Sequence, residues 1–260
     1  MGEPGQLIYR DDSSDFPIEI REAPPLRWLE FGDGAIQSVI DLQRPERLPS
    51  AVARAMLAGL LFVSAPRRML ILGGGGGALP RYLHHRAPRC EGTVVERSAA
   101  VARLARRFFA FPGEGSKWRL LEADARDFVR VTRERYDMVM MDIAEGLDSP
   151  GWLAKGDFLH HCRERLDAQG VLVINLIVDD AAGFALTLSR IREGFGRRTL
   201  CLSVPGHRNV VVFAFNAPPR YREPGPLRQR IPTLKHRWGL EFDEFLQRMR
   251  AENPEGSGVF

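Results

Sequence analysis

Five consecutive glycines, Gly73 to Gly77, follow the apolar run Met69-Leu70-Ile71-Leu72 and precede Ala78-Leu79-Pro80-Arg81-Tyr82-Leu83. An apolar run of strand length, a glycine turn and a helical pattern read as strand, tight turn, helix. Such a turn lets backbone N–H groups approach a ligand with no side chain in the way, at the start of a helix. The glycines alone leave alternatives open. Gly73, Gly75 and Ala78 also fit the dinucleotide fingerprint, and a turn that merely packs tightly would use the same residues.

Three acids further along the chain narrow the choice. Thr93-Val94-Val95-Glu96 reads as a second strand ending in an acid. Trp118 to Asp124 reads as a third, and Tyr136 to Asp142 as a fourth, each again ending in an acid. Carboxylates at the ends of successive strands, beside a glycine turn, sit where an open α/β sheet binds its ligand. The arrangement suits a nucleoside with polar groups along its length.

The chain has 260 residues, 44% apolar and 27% charged, which predicts a packed core rather than disorder. Its 37 basic and 33 acidic residues leave a formal charge of +4. The arginines are spread through helical patterns rather than gathered on one face, so nucleic acid is not the expected partner. Cys90, Cys162 and Cys201 have no metal or disulfide spacing, which points to a reduced, cytoplasmic setting. The first six residues have neither a basic nor an apolar leader region, and the longest apolar stretch, around Ala55 to Ala65, is too short to cross a bilayer. The pairs His84-His85 and His160-His161 do not make a metal site, because adjacent helical residues diverge by about 100°. No metal is expected.

Residues 1–50 read as a small N-terminal β unit. Ile18-Glu19-Ile20-Arg21 alternates, and Leu26 to Phe31, Gly32-Asp33-Gly34 and Ala35 to Ile40 form a hairpin signal. Ser50 is placed to cap a helix from about Ala51 to Phe62. Residues 51–217 read as a Rossmann-like nucleoside-binding domain, in which helical patterns follow each strand: Leu79 to His85, Ala99 to Phe109, Arg126 to Arg133, Asp157 to Leu166 and Ala181 to Phe195. Val171 to Leu176 is a buried fifth strand after a turn at Gln169-Gly170. Thr199 to Val204 and Val210 to Phe215 are separated by only five residues, too few for a parallel crossover, so they form an antiparallel hairpin. The expected fold is α/β: a seven-stranded, mostly parallel sheet closed by that hairpin. Such a hairpin is the layout of sulfonium-nucleoside transferases; nicotinamide dehydrogenase sheets usually lack it. Residues 218–260 read as an arginine- and proline-rich arm to about Pro232, solvated and packing on the domain or on a second subunit, and a short helix, Phe242 to Met249.

Residues 26–216 resemble the spermidine synthase (polyamine aminopropyltransferase) family. The matching motifs are the glycine turn Gly73, Gly74, Gly75, Gly76, Gly77, the second-strand acid Glu96 and the third-strand pair Asp124-Ala125. A D-x-x-D element appears as Asp142-Ile143-Ala144-Glu145, with glutamate last, and Gln37 matches a glutamine near the end of the β unit. The resemblance implies that Glu96 accepts from the ribose hydroxyls and Asp124 from the adenine amine. Asp142, with Glu145, would face the reacting centre, where a carboxylate can take a proton from an amine and offset the sulfonium charge. It also implies a homodimer, no metal, and a donor that is decarboxylated S-adenosylmethionine or S-adenosylmethionine itself, with a small amine as acceptor.

The departures fall in the other half of the site. The turn's aspartate, which in the family binds the aminopropyl amine, is Gly76. The tyrosine-rich segment before the first sheet strand reads Ala53-Arg54-Ala55-Met56, and the tyrosine before the final hairpin turn is Val204. An aspartate in the turn would repel the carboxylate of S-adenosylmethionine, so its loss permits the ordinary donor. Three readings are open: an aminopropyltransferase-like enzyme, a methyltransferase using the same pocket, and a non-catalytic nucleoside-binding or scaffold protein. The last would show an occluded pocket or an Asp142 buried in structural bonds. Asp124 is also a natural helix cap, and Glu145 and Asp148 also fit as plain loop acids. Trp152, after the Asp142 loop, is either core or a lining of the acceptor pocket.

Overall fold

The computed structural model describes residues 5–12, 17–32, 34, 36–113, 115–144, 148–256 and 258–260. Asp33 and Ala35 of the expected hairpin, Glu145 and the first four residues lie outside them. The N-terminal unit is a four-stranded antiparallel sheet of β1 (Gln6–Asp11), β2 (Ile18–Ala23), β3 (Leu26–Phe31) and β4 (Ile36–Asp41), paired in chain order. No sequence alternation announces β1, because its neighbours Leu7 and Ile8 both face solvent.

Helix α1 (Ala51–Met56) is capped by the Ser50 hydroxyl, which accepts from the Ala53 amide at 3.2 Å. It tightens into a 3-10 turn, Leu57–Leu61. Then strands and helices alternate: β5 (Arg68–Leu72), α2 (Ala78–Arg86), β6 (Glu91–Glu96), α3 (Ala99–Phe108), β7 (Trp118–Glu122), α4 (Ala125–Val131) and β8 (Tyr136–Met141). They continue with α5 (Phe158–Glu164), β9 (Leu166–Ile177), α6 (Ala181–Gly194), β10 (Thr199–Ser203) and β11 (Asn209–Phe215). The seven-stranded sheet runs β10-β11-β9-β8-β5-β6-β7, parallel except where β11 pairs with β9 and β10. The turn at Gln169-Gly170 does not precede β9 but lies within it. Tyr136 pairs with Leu166 and Met138 with Val171, so the intervening residues loop out of a continuous strand.

Alternate residues of each strand feed two cores. Ile71, Met140 and Val173 face the layer of α1 and α2, while Leu72, Met141 and Ile174 face that of α4, α5 and α6. A third cluster joins the N-terminal sheet to α3, with Ile18, Ile20, Leu29 and Ile40 against Val101 and Leu104. Among the described residues no helix is long and apolar enough to cross a membrane.

The C-terminal segment packs on the domain, and its arginine- and proline-rich stretch forms a helix that the sequence reading did not place, α7 (Pro224–Trp238), followed by α8 (Phe242–Glu252). Pro224 and Pro226 fall in the first turn, where the missing N–H costs nothing, and only Pro232 interrupts the helix interior. Leu227, Ile231, Leu234 and Trp238 recur at helical spacing and are all buried in the first core.

One charged side chain fastens these parts together. Arg81 of α2 is 1% exposed, and its guanidinium donates to the carbonyls of Pro45 (2.7 Å), Phe109 (2.7 Å) and Val39 (3.3 Å). Burial lowers its pKa to about 10, so it stays charged at neutral pH. Its carbonyl partners come from β4, the segment leaving β4 and the end of α3. Arg81→Met should leave these acceptors unsatisfied and cost about 3 kcal/mol in urea unfolding, and Arg81→Lys should recover little of it, because an ammonium lacks the planar fork that reaches three directions. Wild-type stability in Arg81→Met would refute this.

Candidate active site

The sheet order reverses at β5, with β6 on one side and β8 on the other, which opens a crevice at the carboxyl ends of the strands. Four sequence motifs reach this edge. In the order β8-β5-β6-β7, they are Asp142, the glycine turn, Glu96 and Asp124. With strands about 4.8 Å apart, this line spans about 14 Å.

The glycine turn is held by contacts that a side chain would prevent. Gly73 has φ +90°, and a Cβ there would meet the Asp142 carbonyl at 2.1 Å. The Asp142 amide in turn donates to the Leu72 carbonyl at 2.8 Å, which extends the parallel β5–β8 ladder by one residue and keeps Gly73 against the Asp142 backbone. Gly74 N–H and Gly75 N–H donate to Glu96 Oε2 at 2.9 and 3.2 Å, while Ser98 N–H donates to its Oε1 at 2.8 Å. Gly77 closes the turn by donating to Gly74 O. On the outer side, the Gln37 carbonyl lies 3.7 Å from where a Gly75 Cβ would stand.

Gly76 is the position of the family's missing aspartate. A Cβ here would lie 2.6 Å from Ser38 Oγ, 2.7 Å from Ser38 Cβ and 3.1 Å from Phe109 Cγ. Ser38 of β4 and the ring after α3 fill the space that the side chain would need.

Asp124 follows β7 and caps α4 by accepting from Arg126 N at 2.8 Å. The Arg126 guanidinium adds contacts at 3.1 and 2.9 Å, one to each oxygen, and these hydrogen bonds hold the carboxyl below its ordinary pKa. Ala125 is buried beneath it. Trp152 lies under Arg126, its ring 5.4 Å from the guanidinium carbon, and meets Phe158 edge-on at 4.8 Å. Trp152 thus belongs to the Asp124 end of the crevice, and sequence spacing alone could not place it there.

Asp142 follows β8 rather than ending it, and it is exposed to solvent. It is also crowded by protein, and burial is the first cause raising its pKa. The residue is thus exposed at the strand end while its carboxyl group is packed about by protein. Its side-chain contact is to an amide: Asn175 Nδ2 donates to Asp142 Oδ1 at 2.8 Å. Asn209 Nδ2 donates to Asn175 Oδ1 at 2.9 Å. Sequence reading missed both asparagines, because neither stands in a recognisable motif. Polar residues at the ends of otherwise apolar strands were the available signal.

The remaining acceptor positions are turned away from polar work. Ala53 and Val204 are buried, 6% and 3% exposed. Arg54 is tied to Glu241 at 2.8 Å and to the carbonyls of Leu48 and Pro49. A separate cavity of about 530 Å³ at α7, α8 and the chain end, edged by Arg222, Arg250 and Glu255, shares no residue with the crevice.

A polyamine aminopropyltransferase of Chromobacterium violaceum is 33% identical over 241 residues, covering 93% of this chain and 92% of that one. The chain belongs to the polyamine aminopropyltransferase family. No family model matches it. A crystal structure of a probable spermidine synthase from Corynebacterium glutamicum shares the fold, with a TM-score of 0.75 at 20% identity, covering 98% of this chain and 96% of that one. Human methyltransferase-like protein 13, solved in complex with SAH, superposes over 80% of this chain and 97% of its own, with a TM-score of 0.63 at 21% identity. The fold is therefore common to spermidine synthases and to a methyltransferase, and membership rests on the sequence relationship.

The close packing at Gly76 can be tested by filling it. Gly76→Asp should cost about 2 kcal/mol in urea unfolding through overpacking, and Ser38→Gly in the same chain should recover most of it. Equal stability of Gly76→Asp and the unaltered protein would refute the tight packing.

Proposed function

We propose that the crevice binds a sulfonium nucleoside and transfers its aminopropyl group to a small amine, with Asp142 as the group at the reacting centre. The observation that carries this is Asp142 itself: exposed at the strand end, beside the glycine turn, with a neutral amide as its side-chain partner among the described residues. That is the position of a carboxylate available for chemistry, not one consumed by structural bonds. Family membership supports the reaction class.

On this reading the nucleoside lies along the strand ends. Adenine meets Asp124 and Ala125, with Arg126 and Trp152 around it. The ribose hydroxyls meet Glu96, which exchanges its turn contacts for them or shares them. The turn, Gly73 to Gly77, and Gln37 border the thioether end. The sulfonium carbon faces Asp142. An incoming amine gives a proton to the Asp142 carboxylate as its nitrogen attacks the carbon beside sulfur. The C–S bond breaks with its electron pair moving to sulfur, and a neutral thioether nucleoside leaves. The negative charge of Asp142 also attracts the cationic amine and stabilises positive charge as it develops on the attacking nitrogen. Glu145, three residues on, is proposed as a second acid for the acceptor, and a homodimer as the assembly.

A second reading is favoured by one observation. Gly76 offers no carboxylate to a donor ammonium, and Ser38 fills its place with a neutral hydroxyl. That subsite no longer repels a donor carboxylate, so methyl transfer from S-adenosylmethionine is the competing activity.

Calorimetry with methylthioadenosine, S-adenosylmethionine and its decarboxylated form tests both. Binding of methylthioadenosine is expected, and its absence at millimolar concentration would overturn the nucleoside assignment. The donor that turns over separates the two reactions. Putrescine should be a poor acceptor, because Ala53, Arg54 and Val204 present nothing to a second ammonium; efficient turnover with it would show the acceptor half misread. Asp142→Asn should lower turnover ~10²–10⁴-fold with little change in thioadenosine affinity. Equal turnover would remove Asp142 from the chemistry.

A further inference from the structure

We infer that Asn209 is a positioning residue for Asp142, acting through Asn175. This rests on the proposed role of Asp142, but its geometry stands by itself. β8 and β9 run parallel, with Met141 beside Ile174, so the next residues, Asp142 and Asn175, are neighbours at the strand ends. β11 runs antiparallel to β9, with Asn209 opposite Ile177. Ile177 and Asn175 point to the same face of β9, so Asn209 reaches Asn175 diagonally across that face. Asn175 is 9% exposed and Asn209 half-buried.

A side-chain amide has one accepting and one donating end, and a buried one is worth most when both are used. Here the Asn175 oxygen is taken by the Asn209 amide at 2.9 Å. That leaves only N–H to present to Asp142, at 2.8 Å. The bond serves the ionised carboxylate, the form that accepts a proton, and it engages Oδ1 alone. Without Asn209 the amide of Asn175 can turn over. Its oxygen would then face Asp142, repel the carboxylate and accept from the protonated acid.

Among the described residues, the charged groups around Asp142 leave this relay in control. β5 and the glycine turn contribute backbone only. Glu96 at the end of β6 is held by three amides, Arg208 before β11 is paired with Asp179 after β9 at 2.9 Å, and Asp148 on the following segment is exposed. Burial raises the Asp142 pKa and the Asn175 hydrogen bond lowers it, with no charged group among the described residues contributing.

Losing the donor therefore raises the pH at which Asp142 ionises, so the working base is present only at higher pH. Chains labelled with ¹³C-aspartate and saturated with methylthioadenosine let the Asp142 carboxyl be titrated directly, with Asp142→Asn identifying its resonance. In Asn209→Ala the midpoint should rise by about one pH unit. Transfer should fall roughly tenfold on the acid side and converge with the unaltered protein at high pH, at unchanged thioadenosine affinity. Asn209→Asp keeps the shape but cannot donate through a charged carboxylate; its midpoint should rise at least as far, and it serves if the alanine variant unfolds. An unshifted midpoint in a folded variant, or a loss of activity uniform across pH, would overturn the inference. If the unaltered protein transfers nothing, the proposed function fails while the carboxyl titration still decides the relay.

Discussion

The guanidinium of Arg81 gathers the parts of the chain that surround the site. It has no acid among its hydrogen-bond partners, and it spends its fork on three carbonyls from three separate segments. β4 is thereby drawn onto the first turns of α2, and with it come Gln37 and Ser38, which border the outer side of the glycine turn. Phe109, whose carbonyl is one of the three, brings its ring to the same place. A charged side chain buried this deeply is costly unless its donors are used, so the three segments and the arginine stabilise one another only together. The N-terminal sheet in this way borders the crevice at the strand ends, although it forms its own small core against α3.

The crevice then separates its tasks along the strand ends. At one end Asp124 is already neutralised by Arg126 and by the helix it caps, a setting that suits recognition by fixed geometry. In the middle Glu96 braces the turn through its amides. At the other end Asp142 has a single neutral partner and an unfavourable environment for its charge. Two aspartates of similar intrinsic acidity, Asp124 and Asp142, are thus shifted in opposite directions by their surroundings, and the second is the one proposed for chemistry. The rewritten acceptor half is consistent in its physics. Of the positions at which the sequence departs from the family pattern, Gly76 is packed against Ser38 and Phe109, and Ala53 and Val204 are buried.

Much of the fold was legible because its signals are local. Apolar runs of strand length, the glycines between β5 and α2, and the short loop before β11 each report on neighbouring residues, and they carried the α/β sheet and its antiparallel hairpin. What failed was also local in cause. The prolines of α7 masked a helical stripe that Leu227, Ile231, Leu234 and Trp238 spell out, since proline disrupts only the helix interior and two of the three sit at its start. β1 carries no alternation to read, and a bulge inside β9 passes for a turn before it.

The sequence by itself determined the ends of the strands and the residue types that stand there. Asp142, Glu96 and Asp124 each come after an apolar run closely enough that chain order alone puts them at one edge of a parallel sheet. Tertiary structure decided what each of them touches. That Trp152 lies against Arg126, that Ser38 fills the place beside Gly76, and that Asn209 donates to the amide facing Asp142 are contacts that strand order and loop crossings create. The reason is that periodicity encodes which face of an element is buried, whereas the partner on that face depends on how the elements are arranged. In this chain that arrangement is settled by the return of β11 beside β9 and by the buried arginine that pulls β4 over the turn.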